Sequence, residues 1–287
     1  MRLFSTPAWA IAVGCLLLNA NAAVAETRLA PVEGGQVAYE TCGSGPKALV
    51  LLHDGILDSS AYDGVWSRLC QTFTVVRYDR RGYGASPAAL APYDPVADLA
   101  GVLKAAGVRK AILVGSSAGG GVAVEFALAH PEAVDGLVLV GAAVSGFKPT
   151  DHFMRRTATL VGLLSQGRLE EAVRDPYILT PSAEEARAFV VADLRAHPDN
   201  FGAGRMMRNG QGIMERLGEL TAPTLIATGE VDMPDVHAHA GALEVLIPDS
   251  RRIVIPDSGH FVYLERPDAF VDLVKAFLQT PSRPSGS

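Results

Sequence analysis

Short, nearly continuous apolar runs recur along the chain, most of them followed by a stretch whose apolar positions return every three to four residues. The runs are 36–40, 48–52, 73–76, 111–114, 134–140, 224–227 and 252–255. Each is short and most are rich in Val, Ile and Leu and followed by turn residues, which is the pattern of strands buried on both faces. The helical periodicity falls near Ser60–Leu69, Pro95–Ala106, Ala118–Ala129, Asp235–Leu246 and Pro267–Leu278. Strand and helix in alternation predict an α/β fold with a mostly parallel sheet and helices on both faces. One region departs from this. From about Ser145 to Leu217 there is helical periodicity but no convincing strand. Phe153, Leu160, Leu163 and Leu164 fit one amphipathic face, and Ala186, Phe189, Val190 and Leu194 another.

Candidate chemistry sits where the runs end. Ala111-Ile112-Leu113-Val114 leads into Gly115-Ser116-Ser117-Ala118-Gly119, a Gly-x-Ser-x-Gly segment between a buried strand and a helix. On such a sharp turn the Ser117 hydroxyl stands clear of the sheet, and glycines are required because strand and helix pass too closely for side chains. A serine hydroxyl needs a base, an acid to orient that base, and donors for an oxyanion. His260 follows the last apolar run and is the expected base. Asp232 follows the run before it and is the expected acid, with Glu230 and Asp235 as alternatives nearby. The order Ser117, Asp232, His260 is the one this strand–turn–helix architecture uses. Two backbone N–H groups are the expected oxyanion donors: Ala118, at a helix N-terminus, and Gly55, in the His53-Asp54-Gly55-Ile56 loop after the run 48–52. His237 and His239 lie two apart, a poor spacing for a metal pair on a helix, and read as solvated.

With these motifs in place the chain resembles the α/β-hydrolase superfamily from about Gln36 to Leu278. The matching stretches are Leu51-Leu52-His53-Asp54-Gly55, Tyr78 to Ser86 (Tyr-Asp-Arg-Arg-Gly-Tyr-Gly-Ala-Ser), Gly115 to Gly120, and Gly259-His260. The resemblance implies the α/β-hydrolase fold with a helical cap, divided as 26–144 core, 145–217 cap and 218–287 core. In the family the stretch around Asp79 is structural. The cap would shape a substrate pocket, for which Phe147, Phe153, Phe201, Met206 and Met207 are candidates. Two positions depart from the common pattern. Asp54 stands where many relatives have glycine, so its carboxylate is expected to point away from the oxyanion site or to be hydrogen-bonded. Ser116 stands where many have histidine or a bulkier residue. The implied activity is hydrolysis of a small carboxylic ester or lactone through an acyl-enzyme, with no metal or organic cofactor. Carbon–carbon bond hydrolysis, cofactor-free peracid formation and a non-catalytic ligand-binding role on the same scaffold are the alternatives.

Composition narrows the picture a little further. The 287 residues are 48% hydrophobic, enough for one large core. A net charge of −6 with no basic run gives no electrostatic footprint for nucleic acid. The N-terminus carries Arg2, an apolar stretch from Ala8 to Leu18 and the small-x-small triplet Ala23-Val24-Ala25. The stretch is shorter than the ~20 residues of a spanning helix. It reads as a secretory signal peptide over 1–25, with export to the periplasm or medium and no membrane span left after its removal. Cleavage would remove Cys15 and leave Cys42 and Cys70, an even pair in an oxidising compartment. Both positions are expected at the end of the sheet opposite Ser117, where a disulfide could form.

Overall fold

A computed structural model describes residues 26–279. The eight strands are β1 (Arg28–Val32), β2 (Gly35–Cys42), β3 (Ala48–Leu52), β4 (Thr74–Tyr78), β5 (Ala111–Ser116), β6 (Val134–Val140), β7 (Thr224–Gly229) and β8 (Ser250–Ile255). They form one sheet in the order β1-β2-β4-β3-β5-β6-β7-β8. β2 is antiparallel to both β1 and β4, and every other pairing is parallel. The helices are α1 (Asp63–Cys70), α2 (Pro95–Ala105), α3 (Ala118–Ala129), α4 (Asp151–Ser165), α5 (Leu169–Ala172), α6 (Glu184–Ala196), α7 (Ile213–Arg216), α8 (Pro234–Leu246), α9 (Val262–Glu265) and α10 (Pro267–Gln279).

Strand alternation sorts the core into two layers. Leu49, Leu51, Val114 and Val138 face one side, where α1 contributes Val65 and Leu69 and α10 contributes Phe270 and Val274. Val50, Leu52, Leu113 and Leu137 face the other, against Leu99 and Val102 of α2, Val122 and Phe126 of α3, and Leu243 of α8. With both faces covered, β5 and β7 are buried at every position, which is why they read as unbroken apolar runs.

β1 was not foreseen. It is an edge strand with only Ala30 fully buried, and Pro31 interrupts its pattern. The edge position leaves no continuous apolar signal, and it is also where a proline is tolerated. Among the described residues the region between β6 and β7 holds only helices, α4 to α7 and short 3₁₀ turns. Cys42 and Cys70 are joined, their Cα atoms 5.4 Å apart. Cys42 pairs with Val75 near the start of β4, at the amino ends of the parallel strands. Ser117 follows the carboxyl end of β5, so the crosslink and the serine lie at opposite ends of the sheet. The proposed leader, 1–25, lies outside the described residues. No helix among them is long and apolar enough to cross a membrane.

Candidate active site

β3 is flanked by β4 on one side and β5 on the other, so the chain reverses its direction of winding there. Loops diverge at such a point and leave a crevice beyond the carboxyl ends of the strands. Ser117 stands at its edge with φ 47° and ψ −115°, a conformation that costs a non-glycine residue about 1–3 kcal/mol. Surrounding contacts hold it there. Its N–H donates to the Val140 carbonyl at 2.9 Å, and its own carbonyl accepts from Gly120 at 3.0 Å and Ala143 at 2.9 Å. A Cβ on Gly115 would lie 2.6 Å from the Gly119 carbonyl oxygen, and one on Gly119 would lie 2.3 Å from that of Leu52. These are backbone clashes with no flexible partner, so the glycines of the turn are steric necessities.

Asp232 and His260 come together across the ends of β7 and β8. Asp232 Oδ2 lies 2.9 Å from His260 Nδ1, while Oδ1 accepts from the Met233 N–H at 2.7 Å. The two loops touch so closely that a Cβ on Gly229 would lie 2.0 Å from the Gly259 carbonyl oxygen. Gly141 has φ 52°, and a Cβ there would lie 2.9 Å from His260 Cε1. Burial alone would depress the His260 pKa. Attraction to Asp232 and the hydrogen bond between them outweigh it, with smaller help from Asp54 and Glu265, and the pKa is raised. The bond at Nδ1 leaves Nε2 as the proton-accepting nitrogen. In this structure no hydrogen bond joins Ser117 Oγ to His260. Such bonds often tighten only around substrate.

The alternative acids have other partners. Asp235 accepts from Thr150 N–H at 2.7 Å and Thr150 Oγ1 at 2.8 Å, and Glu230 accepts from the Asp257 N–H at 3.0 Å. Asp54 is buried and fully engaged: Oδ1 accepts from the Ile56 and Leu57 N–H groups at 2.8 and 3.0 Å, and Oδ2 from the Tyr263 hydroxyl at 2.8 Å. His53 Nε2 accepts from the Arg80 N–H at 3.0 Å. Burial, then the Arg80 charge, drive the His53 pKa well below 6.5, so it is a neutral structural group. The Gly55 and Ala118 backbones lie side by side, since a Cβ on Gly55 would sit 3.7 Å from the Ala118 Cβ. Asp79 accepts from Ser59 N–H at 2.9 Å and Ala85 N–H at 2.8 Å, which accounts for its stretch as a loop brace.

A cavity of about 310 Å³ opens on Ser117 and His260. Its lining is mostly apolar, and of the five expected pocket residues it includes Phe147 and Phe153. The other three are corrections. Phe201 packs partly buried against the core, Met206 is 43% exposed, and Met207 lies against Arg80 and lines an adjoining cavity instead. The reason is tertiary: Asn200 Oδ1 accepts from Gly84 N–H at 2.9 Å and the Met206 carbonyl from Tyr93 N–H at 3.0 Å. Those bonds hold the segment over the loop after β4, to one side of the cavity.

Two neighbours of the site were missed. His239 is a correction, because it is buried at 7% exposure, lines the cavity and stacks on Phe147 with ring centroids 4.2 Å apart. Burial lowers its pKa to about 4, so the ring is neutral. Glu265 is buried and ties the base loop to the helical region. It accepts from Gly259 N–H at 2.7 Å, Thr180 N–H at 2.9 Å and Thr180 Oγ1 at 2.7 Å. An acid five residues past His260 carries no sequence signal for this role. Asp58, Asp193 and His197 are the only side chains among the described residues grouped closely enough to share a metal ion. None lines the cavity. They link α6 and the residue after it to the loop following β3, with His197 Nδ1 2.9 Å from Asp58 Oδ2.

Residues 49–273 match the model of the alpha/beta hydrolase family. The chain belongs to that family. An uncharacterized protein of Mycobacterium tuberculosis is 29% identical to this hydrolase over 276 residues, spanning 87% of this chain and 80% of that one. The pimeloyl-(acyl-carrier protein) methyl ester esterase of Pectobacterium carotovorum subsp. carotovorum is 28% identical over 259 residues, 84% and 98% of the two chains. A solved structure described as an N-acyl homoserine lactone degrading enzyme superposes with a TM-score of 0.74 at 28% identity, covering 87% of this chain and all of that one.

Proposed function

We propose that this alpha/beta hydrolase is a serine hydrolase that cleaves small carboxylic esters or lactones through an acyl-enzyme. The observation that carries the proposal is the 2.9 Å Asp232–His260 contact on the wall of the cavity that Ser117 also lines. Ser117 Oγ attacks the substrate carbonyl carbon while His260 Nε2 takes its proton. Asp232 holds the ring and stabilises the imidazolium. The Gly55 and Ala118 N–H groups, neither of which has a partner among the described residues, stabilise the oxyanion. Collapse of the tetrahedral intermediate breaks the bond to the alkoxide, which receives the proton from His260. Water, activated by the same ring, then releases the acid and restores Ser117. The apolar lining supports an apolar acyl group. The printed activities of the esterase and of the lactone-degrading enzyme support the ester or lactone class.

A fluorophosphonate probe and a panel of esters and lactones of graded acyl length test this. Wild type should be labelled and hydrolyse part of the panel, while Ser117→Ala should do neither. Labelling that persists in Ser117→Ala would place the nucleophile elsewhere.

Export is part of the same proposal and rests on the charged start, the short apolar run and Ala23-Val24-Ala25. Intact-mass measurement of protein made by its native host should give a chain beginning at Glu26. A full-length mass in the exported fraction would overturn it.

A further inference from the structure

A second cavity, of about 300 Å³, lies against the first. The two share Ala143, Val144 and Phe147 as lining, and the second is also lined by Ala118, the residue after Ser117, so it reaches the proposed oxyanion position. Their chemistry differs. The first is mostly apolar, whereas the second is lined by Glu125, Ser145 and Asn209 as well as apolar groups. Glu125 projects from the face of α3 that begins with Ala118 and continues through Gly121 and Val122, all of which line this cavity. That face leads from the nucleophile's turn along the helix.

Glu125 is a carboxylate without a cation. Its Oε2 accepts from the Gly210 N–H at 3.1 Å and its Oε1 from Ser145 Oγ at 3.4 Å. Among the described residues it forms no ion pair. Its pKa is raised, chiefly by burial, and Asp94 adds to the negative potential. A half-buried charge is normally paired, and here the unpaired one lines a cavity that abuts the reacting centre. An ester presents two groups to such a centre, the acyl chain and the alcohol. If the acyl chain fills the apolar cavity, the alcohol is directed to the other side.

Resting on the serine-hydrolase reading above, we propose that the second cavity is the leaving-group subsite and that Glu125 selects esters of a cationic alcohol, one bearing an ammonium group. An ammonium head near Glu125 gains Coulomb attraction at a partly buried site, where a single favourable charge contact is worth about tenfold in affinity.

The test uses two esters of one acyl group that differ only in charge: the choline ester and the isosteric 3,3-dimethylbutyl ester. Both deliver the same acyl-enzyme, so a difference in kcat/KM arises before or during acylation. Wild type should favour the choline ester by about tenfold. Glu125→Gln keeps the shape and an acceptor for Gly210 while removing the charge, and the ratio should fall at least fivefold, toward unity. A second measurement needs no variant: free choline should inhibit hydrolysis of the neutral ester more strongly than 3,3-dimethylbutanol does. Equal kcat/KM for the two esters in wild type, or a preference that survives Glu125→Gln in folded protein, overturns the subsite. The parent reading fails separately, by persistence of hydrolysis in Ser117→Ala. Loss of both esters there with no choline preference in wild type would sink the subsite alone.

Discussion

The strand ends of the sheet and the helical region between β6 and β7 border the same cavity but are built differently. The proposed reacting groups stand on turns where backbone meets backbone. Gly115, Gly119 and Gly229 lie so close to neighbouring carbonyls that a single methyl group would not fit. The helical region is fastened by a mixture of ties: side chains join Thr150 to Asp235, Phe147 to His239, Thr180 to Glu265 and His197 to Asp58, and backbone N–H groups of His260 and Tyr93 donate to the Tyr177, Ile178 and Met206 carbonyls. Backbone packing admits few alternatives, whereas side-chain ties can be exchanged without disturbing the sheet. The comparison teaches that the proposed reacting groups are placed by the core, while the shape of the cavity beside them depends in part on side chains that can vary.

The largest expected effect probes the core side. Ser117→Ala and His260→Ala should each lower kcat by about 10⁴-fold or more, and the double variant should lose little beyond either single one, because the groups act as a unit. Additive losses would break the unit. Next in size is a test of backbone packing. Gly119→Ala should lower the melting temperature sharply, with overpacking of about 1–3 kcal/mol or more, since its Cβ would meet the Leu52 and His53 carbonyl oxygens. A melting temperature equal to wild type would show that the turn is less constrained than its geometry implies.

The helical side should respond more mildly. Phe153→Ala should change the preferred acyl length, altering kcat/KM for the longest against the shortest acyl ester by about 10- to 100-fold. The rate of probe labelling should change far less. A parallel fall for every ester would mean that Phe153 supports the reacting groups instead. The pH profile sharpens the same division. His260 acts as base only when neutral, so kcat/KM should fall as pH drops through its pKa. Asp232 holds that pKa above the ordinary 6.5, so the acid limb should lie above 6.5 too. Asp232→Asn should move the limb down while reducing the rate, and a limb unmoved by that change would assign it to another group.

The smallest effect on catalysis is expected from the far end of the sheet. Reducing Cys42–Cys70 frees a loop with a sequence separation of 28, worth about 3–4 kcal/mol in the chain-entropy model. Calorimetry should show a lower melting temperature, and the rate per folded molecule should stay within about twofold. A large loss of rate at constant folded fraction would connect the two ends of the sheet.

Much of this was legible in the chain. Central parallel strands covered on both faces need apolar side chains at every position, so β3 to β7 stood out as apolar runs, with β2 and β8 marked by shorter apolar stretches, and the residues at the strand ends pointed to Ser117, Asp232 and His260. These followed from local rules: a glycine-flanked turn, a run that stops, an acid or base just beyond it. Tertiary structure decided the rest. It chose Asp232 over Glu230 and Asp235, since all three lie within one turn and only packing sets which carboxylate meets the imidazole. It engaged Asp54 with two backbone N–H groups and Tyr263, a partner 209 residues away. It drew Phe201 and Met206 aside, set Met207 in the wall of the adjoining cavity and brought His239 inward, because amphipathicity marks which face of a helix is buried but not what that face is buried against. It also placed Glu125, which the sequence shows only as an acid within a helix, in the wall of a cavity beside Ala118. Local pattern encodes what each segment becomes. Which segments meet depends on contacts between distant residues, and those exist only once the chain has folded.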